Sequence, residues 1–190
     1  MTYLCYLFIG QLIAANSHVY GSGLYGAEAG VHGQFVIQLN DVMNQTVTRG
    51  GAPITITVVN EECCYYLRVH DNNDGSYFVH YVLHKPGEYA LNLKLNDEHH
   101  IAGSPFTLTI MPSKTVPENC TAVGDCLTSI VCNTTSTFTI HAKDIFHNHK
   151  VRGGDPFELG VMGPAQLKSL QDNSDGTCKN ICLCCMFYFM

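Results

Sequence analysis

Residues 65–83 read Tyr-Tyr-Leu-Arg-Val-His-Asp-Asn-Asn-Asp-Gly-Ser-Tyr-Phe-Val-His-Tyr-Val-Leu. Tyr65, Leu67 and Val69 alternate with Tyr66, Arg68 and His70, and past the break Tyr77, Val79 and Tyr81 share a face. Strand side chains point to opposite faces in turn, so each run has one buried and one wet side. The break itself, Asp71-Asn72-Asn73-Asp74-Gly75, is a turn, because Asn, Asp and Gly tolerate left-handed backbone. The same period extends in both directions. It takes in Phe35, Ile37 and Leu39, then Ile54, Ile56 and Val58, then Tyr89 to Leu95, then Phe106, Leu108 and Ile110. Breakers at Arg49-Gly50-Gly51, Pro86-Gly87 and Gly103-Ser104-Pro105 separate the runs. No segment keeps a helical period beyond two turns. Short strands punctuated this way predict an all-β sandwich, since a single sheet would leave its apolar faces in water.

Composition narrows the function. The chain has 190 residues, a formal charge of −6 and 10 Lys+Arg against 16 Asp+Glu. That excludes nucleic acid as a partner, which needs clustered cations. The lack of Trp excludes an antibody-type domain with its buried Trp. Tyr89, just after Pro86-Gly87, stands where a tyrosine corner sits, and Leu91 occupies the place of the antibody cysteine. Ile37 on the facing strand makes an apolar pair of what would be a disulfide.

The N-terminus is apolar from Tyr3 to Ala15 and too short to span a bilayer. With small residues Ala15 and Ser17, it is expected to be a secretory signal cleaved before His18. Sequons at Asn44, Asn119 and Asn133 are the expected glycan acceptors. Ten cysteines suit an oxidising compartment, and their pairing cannot be read from spacing alone.

The chain also repeats itself. Phe35-Val-Ile37 recurs as Phe138-Thr-Ile140, Asp41 as Asp144, and Arg49-Gly-Gly51-Ala-Pro53 as Arg152-Gly-Gly154-Asp-Pro156. Asp71–Gly75 recurs as Asp172–Gly176. The second copy has few residues left after its Asp-Gly turn, and no period-two pattern is evident in them. The expected organisation is a signal-like segment at 1–17, a first repeat at 18–112, a linker at 113–119 and an incomplete repeat at 120–177. A Cys-rich apolar tail at 178–190 is expected to lie outside the fold. Residues beyond 120 are expected to lack order or to pair with another chain.

Sites of chemistry are sparse. Asp71–Gly75 resembles a calcium loop, but Gly falls one place early for an EF-hand and Val82 stands where a bidentate Glu is needed. His99-His100 and His147-Asn-His149 lie in expected turns without further ligands. Cys182 and Cys185 have Cys-x-x-Cys spacing, but no second such pair makes a zinc site. No serine elbow and no phosphate loop is present. The expectation is a non-enzyme with no catalytic residue, no metal and no cofactor.

Three motifs together resemble the filamin-type immunoglobulin-like repeat. They are Ser17–Leu24 with Ala29-Gly30, then Val69–Tyr77, then Tyr89–Ile110 with Ile101-Ala-Gly-Ser-Pro-Phe106. The resemblance implies a seven-stranded sandwich with strands at 18–24, 34–40, 53–59, 64–70, 76–83, 88–96 and 105–111. Asp71, Asn72, Gly75, Gly87, Tyr89, Gly103 and Pro105 become its structural turn positions. It also implies a protein ligand added as a strand at the edge of the third and fourth strands, on Ile54, Ile56, Val58, Tyr65 and Leu67. The Glu61-Glu62-Cys63-Cys64 junction there is shorter and more acidic than the family pattern. A plant gamete-surface family with a signal peptide and filamin-like repeats is similar in layout. The resulting expectation is a recognition or cell-adhesion module of a secreted or membrane-anchored protein, the anchor belonging to a longer form. The alternative is an intracellular scaffold repeat in an actin-associated cross-linking protein.

Overall fold

Each period-two run of the first hundred residues becomes a strand in the computed structural model, which describes residues 11–59, 65–129, 131, 134–160 and 165–184. The chain divides into two compact units, Met1–Met111 and Pro112–Met190. The first contains β1 (His18–Tyr20), β2 (Gly26–Glu28), β3 (His32–Gln38), β4 (Ile54–Val59) and β5 (Tyr65–Asp71). It continues with β6 (Ser76–Leu83), β7 (Gly87–Leu95), β8 (His99–His100) and β9 (Phe106–Met111). One sheet runs β1-β3-β6-β5, and the other runs β2-β9-β7-β4 with β8 beside β7.

Register explains the core. Phe35 faces Val79, Ile37 faces Tyr77, Leu67 faces Tyr81 and Ile56 faces Leu93. Directly opposed residues share a face of the sheet. The inward sets of the two sheets therefore meet in one cluster that holds Phe35, Ile37, Val79, Tyr81, Leu91, Leu93 and Leu108. The Ile37 and Leu91 that stand in for a disulfide are both fully buried in it.

The expected first strand at 18–24 is corrected. Only His18–Tyr20 pairs with β3, a 3₁₀ turn follows at Ser22–Leu24, and Gly26–Glu28 then runs parallel to β9 in the other sheet. Glycine permits the change of sheet, with φ +137° at Gly21 and +126° at Gly26.

The expected leader at 1–17 is also revised. Residues 1–10 lie outside the described residues. Residues 11–17 are built into the first unit. Leu12 bridges Asp41, Ile13 N–H donates to Asn40 O, and Ala14 is buried in the core. Ser17 is enclosed, its Oγ donating to Ile13 O and accepting from Asn40 N–H. The second unit repeats this element at the expected linker. Thr115 bridges Asp144, Val116 N–H donates to Lys143 O, and Cys120 Sγ donates to Val116 O. Asn16 and Asn119 correspond, each passing Nδ2–H to the carbonyl of the local aspartate, Asp41 or Asp144.

The turns rest on carboxylates. Asp71 accepts from Gly51 N–H and Asn73 N–H, and Asn72 Nδ2 donates to Ser76 Oγ. The hydroxyl and then the N–H of Ser76, both donating to Asp74, hold its carboxyl below the ordinary value. Tyr89 Oη donates to Lys85 O at 2.7 Å, closing the tyrosine corner. Gly87 and Gly103 take positive φ.

The second unit has one sheet in its described residues, ordered β10 (Thr121–Val123), β11 (Thr135–His141), β13 (Thr177–Cys184) and β12 (Ala165–Asp172). This differs from the expected tail at 178–190, because Thr177–Cys184 is a paired strand, while 185–190 lie outside the described residues. Its period was hidden because Cys178, Asn180 and Cys182 take the inward places that Tyr77, Val79 and Tyr81 hold in the first unit. The sheet buries Phe138, Ile140, Cys178 and Cys182 beneath Phe157 and Leu159. Burial pushes the Cys178 thiol up, and the nearby carboxylates of Asp172, Asp155 and Asp175 add to this. Asp144 is fully enclosed. Burial alone would raise its carboxyl, but donors from Asn148, Ser113 and Phe146 outweigh it and hold it low. Asn180 is fully buried with neither Oδ1 nor Nδ2 partnered.

Two variants test this description. A Cβ at Gly75 would lie 2.0 Å from Val47 O, at φ +82°. Gly75→Val should therefore cost roughly 3 kcal/mol in a denaturant titration, and an unchanged midpoint would refute the turn assignment. Asn180→Val removes two unsatisfied polar atoms and should stabilise the second unit by about 1–3 kcal/mol. The readout is slower amide exchange in β11 and β13; unchanged exchange would mean that Asn180 is solvated.

Candidate functional site

Partner recognition needs open backbone groups, and an edge strand offers them. Among the described residues, β4 pairs only with β7, and β5 pairs only with β6. β4 ends one sheet and β5 ends the other, so both edges border the opening between the sheets. Of the five residues named from sequence, Ile54, Ile56 and Leu67 face inward and pack on the core while staying partly exposed. Val58 is buried and belongs to the core. Tyr65 pairs with Leu83 through its backbone, and its side chain lies outside the described residues.

The sequence-based set lacks Val69. It faces the core side, opposite the fully buried Val79, yet is 41% exposed. An inward side chain is left this open because, among the described residues, no strand lies beyond β5. The period-two pattern already put Val69 on the same face as Leu67, so the signal was present. With Ile54, Ile56 and Leu67 it makes an apolar mouth bounded by two free strand edges.

Polar contacts brace this mouth. Thr55 Oγ1 donates to Asp97 Oδ1 at the end of β4. Asp71 ties the end of β5 to Gly51, just before β4. Ala52 N–H donates to Tyr77 Oη at 2.8 Å. Burial pushes the Tyr77 phenol up. Tyr81, deeper in the core, is pushed up to about 12 by burial, and its Oη donates to Gly23 O. The Glu61–Cys64 junction lies outside the described residues.

The remaining sequence-based positions scatter. Asn44 is exposed at a turn with φ +60°, its Oδ1 accepting from Asn40 Nδ2. Asn119 is half-buried and spends Nδ2 on Asp144 O at 2.7 Å. Asn133 lies outside the described residues. His99 and His100 form β8 rather than a free turn. Among the described residues, no three His, Cys, Asp or Glu side chains are placed to hold a metal ion. No helix among them is long and apolar enough to cross a membrane.

Comparison with known proteins follows the same outline. Residues 11–107 match the family described as the Filamin/ABP280 repeat. Mouse Filamin-C is 32% identical over 161 residues, which is 83% of this chain and 5% of that protein. Bovine E3 ubiquitin-protein ligase TRIM45 is 33% identical over 93 residues, 47% of this chain and 16% of that protein. The chain thus spans only a small part of these curated relatives. The Escherichia coli adhesin FdeC superposes with a TM-score of 0.60 at 18% identity, covering 90% of this chain and 56% of that one. At that identity the likeness is one of fold, an immunoglobulin-like sandwich.

The mouth and the core are separable by mutation. Ile56→Ala should cost about 2 kcal/mol through lost packing. Val69→Ala should cost under about 0.5 kcal/mol, as surface truncations do. Equal losses in a denaturant titration would mean that Val69 is core and the mouth is closed.

Proposed function

Because the chain belongs to the filamin-repeat family, we propose that it is a protein-recognition module whose first unit takes an extended partner segment as an added strand along β4 or β5. The chain is a protein-interaction domain of immunoglobulin-like fold, and the observation that supports strand addition is Val69. It is an inward-facing apolar side chain left 41% open between two edges that are unpaired among the described residues. A partner strand would supply hydrogen bonds to the edge, and its alternate side chains would fill the space over Ile56, Leu67 and Val69. Nothing in this chemistry calls for a cofactor or a catalytic group. Actin enters only if the module serves a scaffold.

We place the module in a secreted or cell-surface adhesion protein. The exposed sequon at Asn44 and the apolar first ten residues support this. Any leader removed from such a protein would end before Leu12, since residues 12–17 are packed. A specific observation favours the second reading, an intracellular scaffold repeat. Asn119 is consumed in a structural hydrogen bond, and Cys120 and Cys178 are thiols.

A displayed library of short random peptides, selected on the full chain, tests strand addition. Bound peptides should slow amide exchange within Thr55–Val59 or Leu67–His70, and Val69→Asp should abolish binding without lowering the melting temperature. Protection confined to β1 or β2 would overturn the proposal. On protein from its natural source, glycosidase should remove mass from Asn44 and none from Asn119. A chain without glycan that retains Met1 would select the scaffold reading.

A further inference from the structure

The sheet β1-β3-β6-β5 has a second face, turned away from the core. Residues two apart on each strand point there, since Val19, Phe35, Val79 and Leu67 point inward. Among the described residues of the four strands, no outward position carries a carboxylate, although the chain has 16. Four of its ten histidines stand there, namely His18, His32, His70 and His80.

Their placement is specific. His80 lies across from Arg68 on β5 and from Gln34 on β3. Its ring is 5.8 Å from Tyr66, 6.1 Å from Phe78 on its own strand and 6.2 Å from His32. His70 lies across from Phe78. The Arg68 guanidinium sits 5.5 Å over the Tyr66 ring. Tyr66 is 45% exposed. Among the described residues, the titratable and charged groups facing His80 are thus Arg68, Tyr66 and His70 from β5 and His32 from β3; none is a carboxylate.

The fold does not require this composition. The described sheet of the second unit keeps the same strand order but puts Thr135, Thr137, Thr139 and His141 on the corresponding face of β11, and Lys179 and Ile181 on that of β13. Half-exposed Tyr beside Arg is the pairing that anchors protein interfaces. One fixed cation is too few for a densely sulfated polymer, whereas the spaced carboxylates of a polypeptide can pair with Arg68 and accept hydrogen bonds from the imidazole N–H groups.

We propose that the outer face of β1-β3-β6-β5 docks an acidic polypeptide segment, with Tyr66 and Phe78 as apolar anchors and Arg68 flanked by the histidines as the anion-receiving row. This face lies on the far side of β5 from the apolar mouth, so the proposal stands apart from strand addition.

The test uses the full chain and a labelled twelve-residue peptide alternating Glu with Tyr, beside a Gln-for-Glu version and a heparin fragment. The Glu peptide should bind about tenfold more tightly than the Gln version, and its binding should weaken with salt. Arg68→Glu and His80→Gln should each weaken it about fivefold or more, while Val69→Asp leaves it unchanged. Both substituted side chains are at least partly exposed, and an unchanged melting temperature confirms folding; if His80→Gln unfolds, His32→Gln replaces it. Equal binding of the Gln peptide, stronger binding of heparin, loss by Val69→Asp alone, or indifference to Arg68→Glu would each overturn the proposal.

Discussion

The first unit depends on one requirement, that the inward row of β6 be covered from the opposite sheet. Tyr77, Val79, Tyr81 and Leu83 are all buried, and β6 sits between β3 and β5. An apolar row in the middle of a sheet cannot be shielded by its own neighbours, whose side chains lie in the same plane. It must meet Leu91, Leu93 and Leu108 from the other sheet. Each such side chain contributes roughly 2 kcal/mol on burial. Other features follow from bringing those rows together, including the change of sheet at Gly21–Gly26 and the turn at Asp71–Gly75.

The same requirement creates the open mouth. Two twisted sheets of four principal strands can seal the middle of the sandwich but leave the rims dependent on what lies beyond the last strand. At one rim the first strand is split between the sheets, so β1 and β2 both bound that side. At the other rim β4 and β5 belong to different sheets, and among the described residues neither has a further partner. Val69 is exposed because of where its strand sits, although its orientation is that of a core residue. An apolar rim with free backbone groups invites another strand, and natural edges often protect themselves with charge or distortion. On β5 the cation Arg68 is on the outer face, and on the inner face the one carboxylate, Asp71, stands at the strand's end and is tied to Gly51, which leaves Leu67 and Val69 as an apolar rim.

The sequence carried the first unit's strands clearly because its inward residues are large and apolar at every second place. The tyrosine corner was legible from Pro86-Gly87 and Tyr89, and the repeated turn from Asp, Asn and Gly spacing. Three things were not legible. The split of the first strand depends on glycine φ values and on Gln34 backbone lying 2.3 Å from where a Gly23 Cβ would be. Residues 11–17 read as a leader because an apolar stretch leading to small residues looks alike whether it is cleaved or packed. Only the partners Asn40 and Asp41, more than twenty residues away, distinguish the cases. Strand β13 escaped because cysteine and asparagine do not mark a buried face in a pattern of hydrophobicity. At the candidate site, Ile54, Ile56 and Leu67 were readable as an edge, whereas the exposure of Val69 depends on what the neighbouring sheet leaves uncovered.

The two copies differ in ways that are matched across strands. In the first unit a Cβ at Gly33 would fall 2.2 Å from the Tyr81 ring, so this large side chain needs glycine opposite it. In the second unit Cys182 replaces the tyrosine, and its cross-strand partner is Ser136. The removal of bulk on one strand permits a side chain on the other. The polar turns show the opposite behaviour. Asp172 accepts from Gly154 N–H and Ser174 N–H just as Asp71 does from Gly51 and Asn73. Gly176 meets Lys150 O as Gly75 meets Val47 O. Carboxylate-to-backbone geometry admits few substitutes, while packed faces can drift as long as facing residues change together. The histidine-rich outer face of the first unit belongs to neither class. Its His18, His32, His70 and His80 correspond to Thr121, Thr135, Gln171 and Ile181 in the second unit, so the two copies differ there without a matched change across strands.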